Sequence, residues 1–422
     1  MRIALATGLL VSLLALSDSS AARRPLLRER PALSGETAGD QFGVSLASGD
    51  LDRDGRPEII VGARDTDPDG VTDAGSVYVY SGRTGRLVRR LDGLVPYGVF
   101  GYSVFCSDVN RDGRDDVLVG APNQGRVFVY SGRDFRLLHQ LERQPGTFQM
   151  GYSLACADVN GDRFPDIVTG APNVGVAEDG TGSVLVFSGR DGSRLLRIDG
   201  SESGEQFGHA VAAADTDRDG RADILVGAPL ADPEAGPDGG SGYLFSGRDG
   251  SLIRRFDAAS PLQHFASGVA LADFDRDRRA DAVISSPLAD PEGRTDAGSV
   301  FVHSGRTGAL IRRFDGHAVG NHMGQTVACV PLDGDRVPEV VVGGIQGTVP
   351  VKAESERVWI FSGRTGKRLQ LLEVPALGDL YGMTLAGLRA PGRAASGILV
   401  GARLGDPEGR EDAGRVQLYL KR

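Results

Sequence analysis

The sequence predicts an all-β fold: a seven-bladed β-propeller of four-stranded blades, its ring closed by an N-terminal strand that completes the last blade. A repeat opens at Phe42, Phe100, Met150, Phe207, Phe265, Met323 and Tyr381, with spacings of 58, 50, 57, 58, 58 and 58 residues. A fixed period of this kind marks one supersecondary unit used many times. Each unit carries four strand-like runs bounded by turn residues. The seventh unit ends on its third run, Val416–Arg422, and the run Leu26–Arg30 stands ahead of the first unit without a hairpin partner. Lending that strand to the last unit closes a ring and leaves no sheet edge at the seam. An open solenoid would instead need polar capping repeats, and neither end reads as one.

Composition bounds the rest. The repeats occupy nearly all of the 422 residues, so residues 23–422 read as one domain. Glycine contributes 61 residues, about twice the usual share of about 7%, and it falls at strand ends, marking turns rather than disorder. Aromatics are 6%, so the core is expected to consist of Val, Ile, Leu and Ala. A formal net charge of −9 argues against nucleic acid as a partner.

Residues 1–22 read as a signal peptide. Arg2 gives a positive start, and Ile3–Leu16 is a mostly apolar run of 14 residues, too short for a bilayer core of about 30 Å. Ser20-Ala21-Ala22 offers small residues for cleavage. The mature chain is expected to start at Arg23, to be secreted, periplasmic or held at the cell surface, and not to insert into a membrane.

In the first unit the strand-like runs are Phe42–Ser48, Glu58–Ala63, Ser76–Ser81 and Arg86–Leu91. Ser76-Val77-Tyr78-Val79-Tyr80 has the β-branched and aromatic character of a half-buried strand. Turns of the form Ser-Gly-Arg-Thr/Asp-Gly (Ser81–Gly85, Ser188–Gly192, Ser246–Gly250, Ser304–Gly308, Ser362–Gly366) join strands 3 and 4. Strand alternation puts these turns and the strand 1–2 loops on one face. The other face takes the long strand 2–3 connections, Arg64–Gly75, Leu230–Gly240, Leu288–Gly298 and Arg403–Gly414. It also takes the strand 4–1 loops, which carry Tyr97, Phe148, His264, His317 and His322. Variable loops on a rigid scaffold carry recognition, so Tyr97 and Phe148 are the candidate ligand-binding residues.

The strand 1–2 loops hold the clearest chemistry. Counting from the first acid, positions 1, 3, 5, 7 and 9 are Asp50, Asp52, Asp54, Arg56 and Glu58 in the first copy. They are Asp108, Asn110, Asp112, Arg114 and Asp116 in the second, and Asp158, Asn160, Asp162, Phe164 and Asp166 in the third. The fourth has Asp215, Asp217, Asp219, Arg221 and Asp223, and the fifth Asp273, Asp275, Asp277, Arg279 and Asp281. Oxygen side chains at alternate positions form a hard-cation pattern: Ca²⁺ takes six to eight oxygens at roughly 2.3–2.6 Å. Glycine at position 6 permits the positive φ of a sharp wrap. Arg163 and Arg278 replace it in the third and fifth loops, where weaker binding is expected. The sixth copy keeps Asp333, Asp335 and Glu339 but starts at Pro331, and the seventh, Leu388–Ser396, has no carboxylate. The five intact loops carry eighteen ligand-position carboxylates, so about five Ca²⁺ ions would bring the chain close to neutral. An EF-hand is excluded, because position 12 is Val61, Val119, Thr169, Val226 or Ile284 instead of the bidentate Glu. An acidic turn without an ion would account for one such loop; five at a fixed period point to a metal.

Cys106, Cys156 and Cys329 each sit two residues before loop position 1, where other repeats have Ser48, Ala213, Leu271 and Ala386. They are expected to fill a buried slot, too far apart for disulfides. No H-E-x-x-H, G-x-S-x-G or phosphate-cradling loop is present. The contrasting reading, an extracytoplasmic carbohydrate-active or other hydrolase, would need paired acids on the loop-rich face or in the channel. Asp67, Asp69, Asp232, Glu234, Asp290, Glu292, Asp406 and Glu408 are its candidates, although Asp-Pro turns also explain them.

Phe42-Gly43…Gly62-Ala63, Phe100-Gly101…Gly120-Ala121-Pro122, Met150-Gly151…Gly170-Ala171-Pro172 and Phe207-Gly208…Gly227-Ala228-Pro229 each enclose an acidic loop. This combination resembles the FG-GAP repeat of the integrin alpha-chain N-terminal β-propeller, over about residues 26–422. The resemblance implies a seven-bladed propeller with Ca²⁺ in the strand 1–2 loops, away from the ligand face. It implies an adhesion-type module, not an enzyme, whose partner is an extracellular protein or a surface glycan; a monomer is expected. Repeats five to seven depart from the pattern at Phe265-Ala266, Ser285-Ser286-Pro287 and Gly343-Gly344-Ile345.

Overall fold

A computed structural model describes residues 26–174, 180–344, 356–373, 378–389 and 395–421. The expected signal peptide and the start at Arg23 lie outside the described residues. Seven four-stranded antiparallel sheets form a ring, a seven-bladed β-propeller. Blade 1 comprises Phe42–Gly49, Glu58–Ala63, Ser76–Tyr80 and Leu87–Asp92, each within one residue of the expected limits. In blade 7 the strand Leu27–Ser34 pairs with Arg415–Lys421, from Leu27 opposite Lys421 to Ser34 opposite Arg415. The N-terminal strand thus closes the ring as the fourth strand of the last blade.

The second strand of every blade is buried along its whole length, from Glu58–Ala63 to Gly397–Ala402. Sheets packed on both faces give such continuous apolar runs. The core follows from this: buried residues gather in seven clusters, each drawing on two adjacent blades. Across the seam, Phe42, Leu46, Ile59, Val61 and Tyr78 of blade 1 meet Leu388, Leu399 and Val416 of blade 7.

The repeat signature is an interlock between neighbouring blades. A Cβ on Gly62 would lie 2.1 Å from the carbonyl oxygen of Gly101, and Gly120 and Gly170 meet the carbonyls of Gly151 and Gly208 in the same way. An inner-strand hydroxyl anchors each such carbonyl: Ser45 Oγ donates to Gly101 O, Ser103 Oγ to Gly151 O, and Thr384 Oγ1 to Gly43 O across the seam, at 2.7, 2.7 and 2.6 Å. The opening aromatic or methionine seals the joint; Phe42, Phe100, Met150, Phe207, Phe265, Met323 and Tyr381 are all buried. Blade 5 departs where the sequence does, and Ala266 takes the glycine's left-handed conformation at φ 68°.

The three cysteines are free thiols on the inner strands. Their slot is half-buried instead of fully buried as expected: Cys106, Cys156 and Cys329 each pack at the edge of an interblade core.

Candidate metal centre

Each of the five intact strand 1–2 loops is a chain of carboxylate-to-backbone hydrogen bonds that turns acidic side chains inward. In the first loop Asp50 Oδ2 accepts from Gly55 N–H at 3.0 Å, Asp52 Oδ1 from Asp54 N–H at 2.9 Å, and Asp54 Oδ1 from Arg56 N–H at 2.7 Å. The fourth repeats it: Asp215 Oδ2 accepts from Gly220 N–H, Asp217 Oδ1 from Asp219 N–H and Asp219 Oδ1 from Arg221 N–H. The second, third and fifth loops keep the same bonds, with Asn110 and Asn160 in place of the position-3 acid.

Two residues per loop are left-handed. Position 6 is, as expected, and Arg163 and Arg278 adopt it at φ 74° and 66° without glycine. Position 4 is too, at Arg53, Arg111, Gly161, Arg218 and Arg276. The sequence signals this second site only through Gly161 and Gly334. Position-4 and position-7 side chains tie loops together around the ring: Arg114 Nη1 donates to Leu51 O at 2.8 Å, and Arg276 Nη2 to Asp335 O at 2.6 Å. An Arg or Phe at position 7 brings no side-chain oxygen, so its part in a coordination sphere falls to its main-chain carbonyl.

Three loops assemble an acidic group. Carboxylate oxygens of Asp50, Asp52 and Glu58 lie within 4.8 Å of one another, as do those of Asp215, Asp217 and Asp223, and of Asp273, Asp275 and Asp281. Three carboxylates so close repel one another unless a cation lies between them. In the first group Asp50 Oδ1 is buried and accepts no hydrogen bond, leaving a lone pair that a cation would satisfy. The residues therefore fit a hard divalent ion.

The position-9 acid also has a structural task. Asp281 Oδ2 accepts from Phe274 N–H at 2.7 Å and its Oδ1 from Gly305 N–H at 3.0 Å, which joins the strand 1–2 loop to the strand 3–4 hairpin. Asp116, Asp166 and Asp223 make the same pair of bonds. Burial pushes these carboxyls up, Glu58 and Asp116 to about 7 and Asp166 and Asp281 to about 6. In the sixth loop, Asp335 Oδ2 has Arg364 Nη1 at 3.7 Å and Arg276 Nη2 at 4.0 Å, so guanidinium groups supply positive charge there.

On the opposite face Tyr97 is 62% exposed at the tip of its loop. Phe148 is half-buried, with the Arg143 guanidinium 5.6 Å from its ring centre. Six of the eight acids of the hydrolase reading are held in local turns, and the other two, Asp69 and Glu234, are exposed. Asp67, Asp232, Asp290 and Asp406 accept from the N–H groups of Asp73, Asp238, Asp296 and Asp412 at 2.7–2.9 Å. Glu292 and Glu408 pair with Arg294 and Arg410. What the sequence reading passed over is the channel mouth on this face, where Arg64, Arg403, Tyr102, Tyr152 and His209 line one cavity. Its signal lay in aligning the residue that follows each opening Phe-Gly pair.

Comparison with known proteins agrees with the repeat. The FG-GAP repeat model matches residues 42–80, 207–245 and 265–303, and the FG-GAP-like repeat model matches residues 108–169. The chain is 33% identical to human integrin alpha-IIb over 169 residues, covering 36% of this chain and 16% of that protein. It is 31% identical to integrin alpha-3 of Cricetulus griseus over 183 residues (39% and 17% of the two chains). With human integrin alpha-7 it shares 36% over 184 residues (40% and 15%). The matched segments thus span less than a fifth of these relatives' length.

Proposed function

From the premise that this is an FG-GAP repeat protein, similar to integrin alpha chains, we propose a secreted adhesion-type module. Its strand 1–2 loops hold structural Ca²⁺, and its opposite face binds another protein or a surface glycan. It acts as a monomer, without catalysis. One observation carries the reading: the two faces differ in kind. One is a ring of acidic loops tied to each other by hydrogen bonds. The other exposes apolar side chains on its strand 4–1 loops, Leu94 at 85%, Tyr97 at 62%, and Leu262 and Val319 at 58% each. Apolar groups left in water on an otherwise polar loop face mark a contact surface. The Ca²⁺ assignment is supported by the three acidic groups and the orphaned Asp50 oxygen.

The test is binding of labelled residues 23–422 to the source organism's envelope and extracellular polysaccharide, with calcium and with chelator. Saturable binding that needs calcium and falls at least tenfold in Tyr97→Ala or Phe148→Ala is expected. Binding unchanged by both substitutions would overturn the face assignment.

A further inference from the structure

Where the loop-rich face meets the central channel, a cavity of about 500 Å³ opens. In a chain of net charge −9, no carboxylate among the described residues lines it, and Arg64 and Arg403 supply the fixed charges of that lining. Both follow directly on the second strands of blades 1 and 7, and both are half-buried. Neither is fully paired. Arg403 Nη1 reaches Gln41 Oε1 only at 3.5 Å, and its buried Nε has no partner. Arg64 Nε has Asp65 Oδ1 at 3.4 Å, an ion-pair distance without hydrogen-bond geometry, and Asp65 lies outside this cavity. Burial and the neighbouring Arg64 both hold the Arg403 guanidinium below its ordinary range. Asp65 partly offsets both guanidinium groups, which leaves two half-buried cations sharing one carboxylate, a shortfall that a second anion would make up. A guanidinium pair with free N–H groups matches the geometry of a carboxylate.

We propose that Arg64 and Arg403 form a carboxylate-binding pocket at the mouth of the channel, filled by an aspartate or glutamate side chain of the protein partner. The inference rests on the adhesion reading and supplies the chemistry of its contact. The cavity walls favour a side chain over an acidic sugar. The Arg64 guanidinium sits 5.4 Å from the Tyr102 ring, Tyr102 lies 4.9 Å from Tyr152, and Tyr152 lies 5.2 Å from His209. The rings meet at tilts of 42° and 47°, so together they form no flat platform of the kind on which a pyranose stacks. Burial holds His209 and His264 below the usual histidine range; both ring nitrogens of His209 already meet Tyr152 Oη and Ser267 O, and His264 adds hydrogen-bonding capacity without charge.

The experiment is calorimetric titration of the calcium-loaded chain, at low ionic strength, with glutarate and with its uncharged analogue glutaramide. A glutamate-containing blocked tripeptide and a digalacturonate form two further arms. Glutarate and the peptide are expected to bind, glutaramide and digalacturonate not. Arg403→Gln and Arg64→Gln should each weaken glutarate at least tenfold, and Arg403→Lys less than either. The melting temperature of Arg403→Gln should stay level or rise, because a like-charge contact is removed; a purely structural arginine would lower it. Equal binding of glutarate and glutaramide, or glutarate binding unchanged in both Gln variants, overturns the pocket. Digalacturonate binding tighter than the peptide overturns the protein source. Because small probes read the pocket alone, these failures are separate from a failure of the Tyr97 face to bind the envelope.

Discussion

Arg163 and Arg278 show how far single residues bend to the loop's geometry. Both hold a left-handed backbone that their loops elsewhere give to glycine. An L-residue there costs roughly 1–2 kcal/mol. Glycine's extra freedom in the unfolded chain takes back roughly 0.5–1 kcal/mol. Arg163→Gly and Arg278→Gly should therefore each stabilise the fold by up to about 1.5 kcal/mol in chemical denaturation and tighten calcium at their loops. A loss of stability would mean that the arginine side chains contribute more than the strain removes. The position-9 acids make a second residue-scale prediction. Burial raises Glu58, Asp116, Asp166 and Asp281 above the range of an unfolded carboxyl. A raised carboxyl stabilises the fold fully below its unfolded pKa and loses that contribution as pH climbs through its folded value. Metal-stripped protein should thus melt higher at pH 5 than at pH 8 on account of these groups. A bound cation favours the ionised form, so calcium should raise the melting temperature more at pH 8 than at pH 5.

At the scale of the blade, the recurring Phe-Gly and Gly-Ala-Pro segments are two halves of one joint. The glycine of the second strand leaves room for the next blade's carbonyl, which an inner-strand hydroxyl then anchors. Gly62→Ala would set a methyl 2.1 Å from the Gly101 oxygen. It should cost about 1–3 kcal/mol, as overpacking does, read as a lower denaturation midpoint; an unchanged midpoint would count against the joint. The blades were legible in the sequence because strand period, turn glycines and buried aromatics all repeat, and so was ring closure, because a missing strand and a spare one match. The left-handed position 4 was not legible, since arginine fills it in four of the five intact loops. The channel mouth escaped as well: the position of Tyr102 and Tyr152 holds Val44, His209, Ser267, Gln325 and Met383 in the other blades, and Arg64 and Arg403 come from opposite ends of the sequence. Only the ring brings those two together.

The whole molecule is a ring with two unlike faces. Between them, among the described residues, lie seven interblade cores, two of which join residues from opposite ends of the chain. The acidic loops sit at the blade joints: Ala222 N–H donates to Asp158 O, and Ala280 N–H to Asp215 O, each crossing to the preceding blade. An ion in such a loop braces a joint as well as a turn. At a free calcium concentration a hundred times its Kd, one site adds about 2.7 kcal/mol. Calcium in these loops is thus proposed to hold the ring together. That role is tested most directly by melting wild type and the Asp215→Ala, Asp217→Ala, Asp219→Ala triple variant, each metal-stripped and each calcium-loaded. Calcium should raise the wild-type melting temperature, and the variant should fall below wild type in calcium but match it without metal. An equal deficit in both conditions, or no response of wild type to calcium, would contradict that role.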